Sequence, residues 1–200
     1  MPAQLSALGA SRDRAVVFAG FGAICGLAWA ASLRGFMVEI AGQGSTFAWI
    51  GTFGQILIPG LLTGLLLGVA EHFRRTGGRR GWRWLAAAPA LFILALLLTP
   101  EVLVALVTEG IGGGAIAIPI FGMLGGFAIS GRGPLGGRVV AGVLATAGAI
   151  GGAIAPSMIQ PRYLALTEPR GLWVALLFFS LIVAFAAACS IPHRRVAVPA

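Results

Sequence analysis

Seven charged residues sit at the edges of apolar runs, where they could do chemistry: Arg34, Glu39, Glu101, Glu109, Arg162, Glu168 and Arg170. Ionisable groups beside hydrocarbon are costly unless paired or hydrated, so they mark either functional sites or the ends of spans. Arg34 abuts the end of one apolar run, and Glu109 opens a glycine-rich one. If Arg34, Glu39, Glu101 and Glu109 converge, they form a polar vestibule on one face of a bilayer, suited to a solute or ion. If they do not, they terminate helices in the headgroup layer.

Other constellations are sparse. His72 and His193 each lie at the end of an apolar run. A bis-histidine haem site would need those two ends to be adjacent; headgroup anchoring explains them without a ligand. Cys25 and Cys189 fall within apolar runs, and their spacing fits neither a disulfide framework nor a metal site. They read as small buried hydrophobes. Residues 110–114 are glycine-rich but follow no strand, so they make no dinucleotide loop. No catalytic, cofactor-binding or metal-ligating residue is assigned.

The elements that must position these residues are set by composition. The chain of 200 residues is 58% hydrophobic and 10% charged, whereas a soluble domain carries about a quarter charged residues. Lipid must therefore cover its surface. The net charge of +8 comes from fourteen basic residues, all arginine and clustered in short loops. That pattern points to anionic headgroups, worth about 1 kcal/mol per basic residue near the surface, and not to nucleic acid.

Six stretches lack Asp, Glu, Lys and Arg: 15–33, 40–70, 84–100, 110–131, 139–161 and 171–193. A spanning helix needs about 20 apolar residues. Only helices and closed barrels satisfy their backbone in lipid, and period-2 alternation is absent. The expectation is an all-α polytopic protein with six transmembrane helices at 15–33, 47–70, 84–99, 111–130, 139–158 and 172–192. Residues 1–14 and 193–200 are its tails, and the segment 34–48 is expected to form a short interfacial helix or re-entrant turn ending near Gly42–Gly44.

Arginine placement orients the bundle. Residues 71–84 hold Arg74, Arg75, Arg79, Arg80 and Arg83, the densest positive cluster in the chain. With that loop cytoplasmic, Arg12, Arg14, Arg132, Arg138, Arg194 and Arg195 are cytoplasmic too, as the positive-inside rule requires. Both termini then lie in the cytoplasm. The five loop arginines act as topology signals and lipid-headgroup anchors. A cleaved signal peptide is disfavoured, because the first apolar run is longer than an h-region of about 7–15 residues and contains Gly20, Gly22 and Gly26.

Small residues at four-residue spacing predict where helices meet. Gly60, Gly64 and Gly68 share one face of the second span, and Gly122 and Gly126 share one face of the fourth. Pro59 is expected to kink the second span, and a helix stop and restart is expected at Thr99–Glu101. Spans one, two, four and five carry such glycines and should form the interior. Spans three and six lack them and should be peripheral. Matches between residues 21–28 and 121–128 raise the possibility of an inverted repeat.

Phe47-Ala48-Trp49-Ile50-Gly51-Thr52, preceded by Leu33-Arg34-Gly35-Phe36-Met37, resembles a pattern in small uncharacterised multi-pass membrane proteins of actinobacteria. The match covers about twenty-five residues. It departs from the pattern at Ala48 and lacks a Pro-Glu before Phe47. The resemblance implies membrane topology in a bacterial cytoplasmic membrane and no particular activity.

The function expected is a non-enzymatic subunit or assembly factor of a membrane complex, with a membrane-protein partner or a second copy of itself. The alternatives are a small transporter or channel with an outer charged vestibule, and a lipid-modifying enzyme embedded in the membrane.

Overall fold

The computed structural model describes residues 2–98 and 113–197, and every regular element among them is helical. The helix stop and restart expected at Thr99–Glu101, together with Glu109, lies outside the described residues. The elements are α1 (Pro2–Ala41), a π-helical segment (Trp49–Leu57) continuing into α2 (Ile58–Arg75), a 3-10 helix (Trp82–Ala87), α3 (Ala90–Leu97), α4 (Gly113–Ile129), α5 (Leu135–Ile159) and α6 (Pro169–Cys189). Four helical stretches are long and apolar enough to cross a membrane: Asp13–Ala41, Trp49–Arg75, Leu135–Ile159 and Pro169–His193. The helix Gly113–Ile129 is a shorter apolar one.

The first helix does not stop at residue 33. It runs through Arg34 and Glu39 to Ala41 and ends in a 3-10 turn at Gly42–Gly44. Nothing between 33 and 41 breaks a helix, whereas Gly42 adopts the left-handed backbone (φ +56) that ends one. Pro59 is where the wide π-helical turn gives way to α-helix, because proline cannot donate the hydrogen bond that would continue the earlier register. The third apolar run is broken as well. Its 3-10 portion gives way to α3 at Pro89, which is buried and also lacks a donor.

Two packing modes hold the bundle together. The first joins α1 to the antiparallel α2. A Cβ added at Gly22, Gly26, Gly64 or Gly68 would lie closer than 3.0 Å to backbone atoms of the facing helix, and one at Gly60 would meet the Cβ of Ala30. The backbones are therefore in direct van der Waals contact. In lipid, dispersion between closely approached helices takes the place of the hydrophobic drive available in water.

The second mode fits large side chains into glycine hollows. Phe185 of α6 rests on Gly122 of α4, Ala186 on Gly125, and Cys189 with Ser190 on Gly126. Phe121 of α4 fills the space at Gly148 of α5, and Phe178 of α6 fills that at Gly152. This corrects the expected arrangement: α6 is central, not peripheral. It buries Val174, Phe178, Leu181, Ile182, Phe185 and Cys189 against α1, α4 and α5. Its lack of glycines misled because α6 supplies the knobs and its neighbours the holes. The matched segments pack differently at their first glycine, since Gly22 meets the α2 backbone while Gly122 meets a phenyl ring.

Trp29 joins the two packing groups. Its ring stacks on Phe185 at 4.3 Å and meets Phe92 edge-on at 5.8 Å, and its Nε1 donates to the Leu181 carbonyl at 2.9 Å.

Gly64→Ala is expected to destabilise the protein by on the order of 1–3 kcal/mol, the usual penalty for overpacking. Gly20→Ala, with nothing within 4 Å of its Cβ, is expected to be neutral or mildly stabilising through helix propensity. Heat-step size exclusion in detergent measures both. Equal losses would show that the α1–α2 contact is not limiting.

Candidate functional site

The helix directions gather most of the arginines at one end of the bundle. Phe18 of α1 lies 6.2 Å from His72 of α2, Phe127 lies 5.7 Å from His193, and the Ala197 amide donates to the Arg74 carbonyl at 2.9 Å. Arg14, Arg74, Arg75, Arg79, Arg80, Arg83, Arg132, Arg138, Arg194 and Arg195 belong to this end. Arg34, Arg162 and Arg170 belong to the other.

At that other end, Arg34 and Glu39, two of the four residues expected to form a vestibule, act as fasteners. The Arg34 guanidinium donates to Ser45 Oγ at 3.2–3.3 Å and to the Thr46 carbonyl at 2.6 Å, and lies 4.5 Å from the centre of the Phe47 ring. It pins the loop between α1 and the π-helical segment. Glu39 pairs with Arg170 at 2.7 Å, tying the end of α1 to the start of α6. The Gln160 amide donates to the Ile40 carbonyl, tying the same end of α1 to the end of α5. Arg34 and Glu39 thus bind separate partners and do not share one polar site. Glu101 and Glu109 lie outside the described residues.

At the arginine-rich end, Glu71 sits between two guanidiniums. Arg74 binds it through Nε at 2.6 Å and Nη2 at 2.7 Å, and Arg75 through Nε at 2.6 Å. Arg75 also lies 5.0 Å from the Phe18 ring centre. One carboxylate cannot balance two cations, so this turn stays positive. Arg79 and Arg80 are exposed on a loop built with Gly77, Gly78 and Gly81 in left-handed backbone, and Arg83 is exposed on the 3-10 helix that follows. Two of the five expected headgroup anchors are thus engaged by Glu71, and three face outward.

The histidines have different surroundings. His72 is buried beside Phe18 and Phe73 with its Nδ1 unpartnered, while His193 lies against Phe127. Cys189 is buried as expected, whereas Cys25 is exposed. Among the described residues, no three His, Cys, Asp or Glu side chains gather as metal ligands.

A cavity of about 500 Å³ lies between the α1–α2 pair and α6. One wall is the glycine groove at Gly22, Gly26, Gly64 and Gly68, and the other is Ala184, Ala187 and Ala188 of α6. Trp29, Phe92 and Phe185 close its deep end, while Glu71, Arg75 and Arg194 stand at the arginine-rich end. Sequence reasoning missed this space. Its signal was present in the small residues of α6, which fall level with the glycines of α1 and α2 but do not reach them. No family model, curated protein or solved structure matches the chain.

The Arg34 fork gives a direct test. Arg34→Lys keeps the charge but cannot span Ser45 Oγ and the Thr46 carbonyl with one planar group, and is expected to cost about 1 kcal/mol. Arg170→Gln removes a largely exposed ion pair and should cost less than about 1 kcal/mol. Unfolding in mixed micelles compares them, with proteolysis in the 42–48 loop as the local readout. Faster cleavage in the Arg170 variant than in the Arg34 variant would reverse the assignment.

Proposed function

We propose that this chain is a six-span protein of a bacterial cytoplasmic membrane with both termini in the cytoplasm. In this reading it serves as a non-enzymatic subunit or assembly factor of a membrane complex. The observation that carries the functional part is the α1–α2 interface, where glycines of one helix lie on the backbone of the other. A contact of this kind has no polar lining and no slack. It suits a rigid scaffold better than a transporter, whose helices must separate around a hydrated path.

The six-span topology draws support from the alternation of helix directions. α1 leaves the arginine-rich end and α2 returns to it. The segment Trp82–Leu97 leaves again, with the Ala88 carbonyl accepting from Thr63 Oγ1 and Phe92 reaching Trp29. α4, α5 and α6 then alternate in turn. The clustering of arginines at one end supports a cytoplasmic assignment for that end through the positive-inside rule.

In a variant with both native cysteines replaced by serine, a cysteine introduced at Arg162 is expected to react with a membrane-impermeant maleimide in intact cells. One introduced at Arg79 should react only after permeabilisation. The opposite pattern would invert the topology.

Purification of the tagged chain from its native membrane in mild detergent, with mass spectrometry of co-eluting proteins, tests the functional reading. A stoichiometric and reproducible partner is expected. A monodisperse homomer with no companion would sink it.

A further inference from the structure

We infer that the cavity between the α1–α2 pair and α6 holds one acyl chain of an anionic phospholipid, with its headgroup on Arg75 and Arg194. The inference rests on the membrane reading above and goes beyond it by naming a ligand class.

The lining sets the chemistry. At about 500 Å³ the space falls within the range of small-molecule sites, roughly 300–1,000 Å³. Below the mouth its walls are glycine, alanine, leucine, Cys25 and aromatic carbon, and the hydroxyl of Thr63 is already donated to the Ala88 carbonyl, so water entering it would find few hydrogen-bond partners. Left empty, it would forfeit the dispersion contacts of everything that lines it. A hydrocarbon chain supplies those contacts.

Shape and charge narrow the occupant further. Charged side chains line the cavity only at the arginine-rich end, and there Glu71 is bound by both Arg74 and Arg75. With Arg194, three guanidiniums stand against one carboxylate, so the mouth keeps a net positive charge, and Arg75 and Arg194 are both exposed. From Glu71 to the level of Gly60 is eleven residues of helix, or about 16 Å, a depth suited to a chain and not to a compact solute. Beside the cavity, Phe21 is 68% exposed and Cys25 is exposed on α1, facing the small Ala184 and Ala187 of α6. A chain can enter sideways there from the surrounding hydrocarbon without crossing a polar barrier. A neutral lipid would fill the same space but leave the net positive charge at the mouth unmatched.

The test uses the full chain in nanodiscs of equal phosphatidylcholine and phosphatidylglycerol, followed by native mass spectrometry of retained lipid. One phosphatidylglycerol per chain is expected to survive. Ala184→Trp and, from the opposite wall, Cys25→Trp fill the cavity away from the helix contacts and should abolish retention. The double variant Arg75→Gln, Arg194→Gln should keep a lipid but lose the anionic preference by about thirtyfold, at roughly fivefold per basic residue. Without any substitution, alkylation of Cys25 should be slower in phosphatidylglycerol discs than in phosphatidylcholine discs. Absence of retained lipid, retention unchanged in both tryptophan variants, equal retention of the two lipids, or equal Cys25 alkylation would each overturn the proposal. Extraction of native membranes with alkaline carbonate separates the two failures. A chain released by carbonate overturns the membrane reading itself, whereas an integral chain that retains no lipid overturns this inference alone.

Discussion

The bundle depends on how closely α1 and α2 approach each other. At Gly22, Gly26, Gly64 and Gly68 no side chain separates the helices, and a single added methyl would strike main-chain atoms. Association of helices in lipid relies on packing, because surrounding acyl chains are as apolar as the helices themselves. Small residues make that packing possible by letting backbones touch. The remaining elements are arranged around this rigid pair. α6 meets α1 through Trp29, Leu33 and Phe36, and the turn after α6 meets α2 at the arginine-rich end. The cavity lies between these contacts.

Glycine serves the two halves of the chain differently. In α1 and α2 it brings main chain to main chain. In α4 and α5 it makes hollows for Phe121, Phe178 and Phe185. The second arrangement seats whole aromatic rings of α6 in its neighbours, and it explains why α6, without glycine in its spanning stretch after Gly171, becomes the most enclosed of the candidate spans.

Much of the fold was legible because lipid imposes simple rules. Charge-free runs marked the helices, and the Gly60–Gly64–Gly68 stripe marked a real interface. The grouping of Arg14, the 74–83 cluster, Arg132, Arg138 and Arg194 at one end followed from alternation alone. Less was legible where the answer depended on a partner. A glycine stripe shows that something approaches but not whether it is backbone or phenyl ring, so α6 was misplaced. The outer charges were visible as a set, yet pairing distributes them: Arg34 to its own loop and Glu39 to Arg170, 131 positions away. The cavity was hidden for a similar reason, since a void arises from residues that fail to meet.

An interface made of main chain alone lacks chemical identity. Gly60, Gly64 and Gly68 repeat at the same interval as Gly22 and Gly26, so the two helices could slide past each other by one turn and find nearly the same fit. The stripe fixes how far apart the helices lie but says little about their register. That register is held at the two limits of the stripe and by one contact from outside the pair. Ala30 is matched to Gly60 at one limit and Phe18 to Gly68 at the other, and the Trp29 indole is anchored by hydrogen bond to the main chain of α6. In this molecule those end contacts and α6 together work as the stop on a vernier scale, turning a contact that could slide into one that cannot.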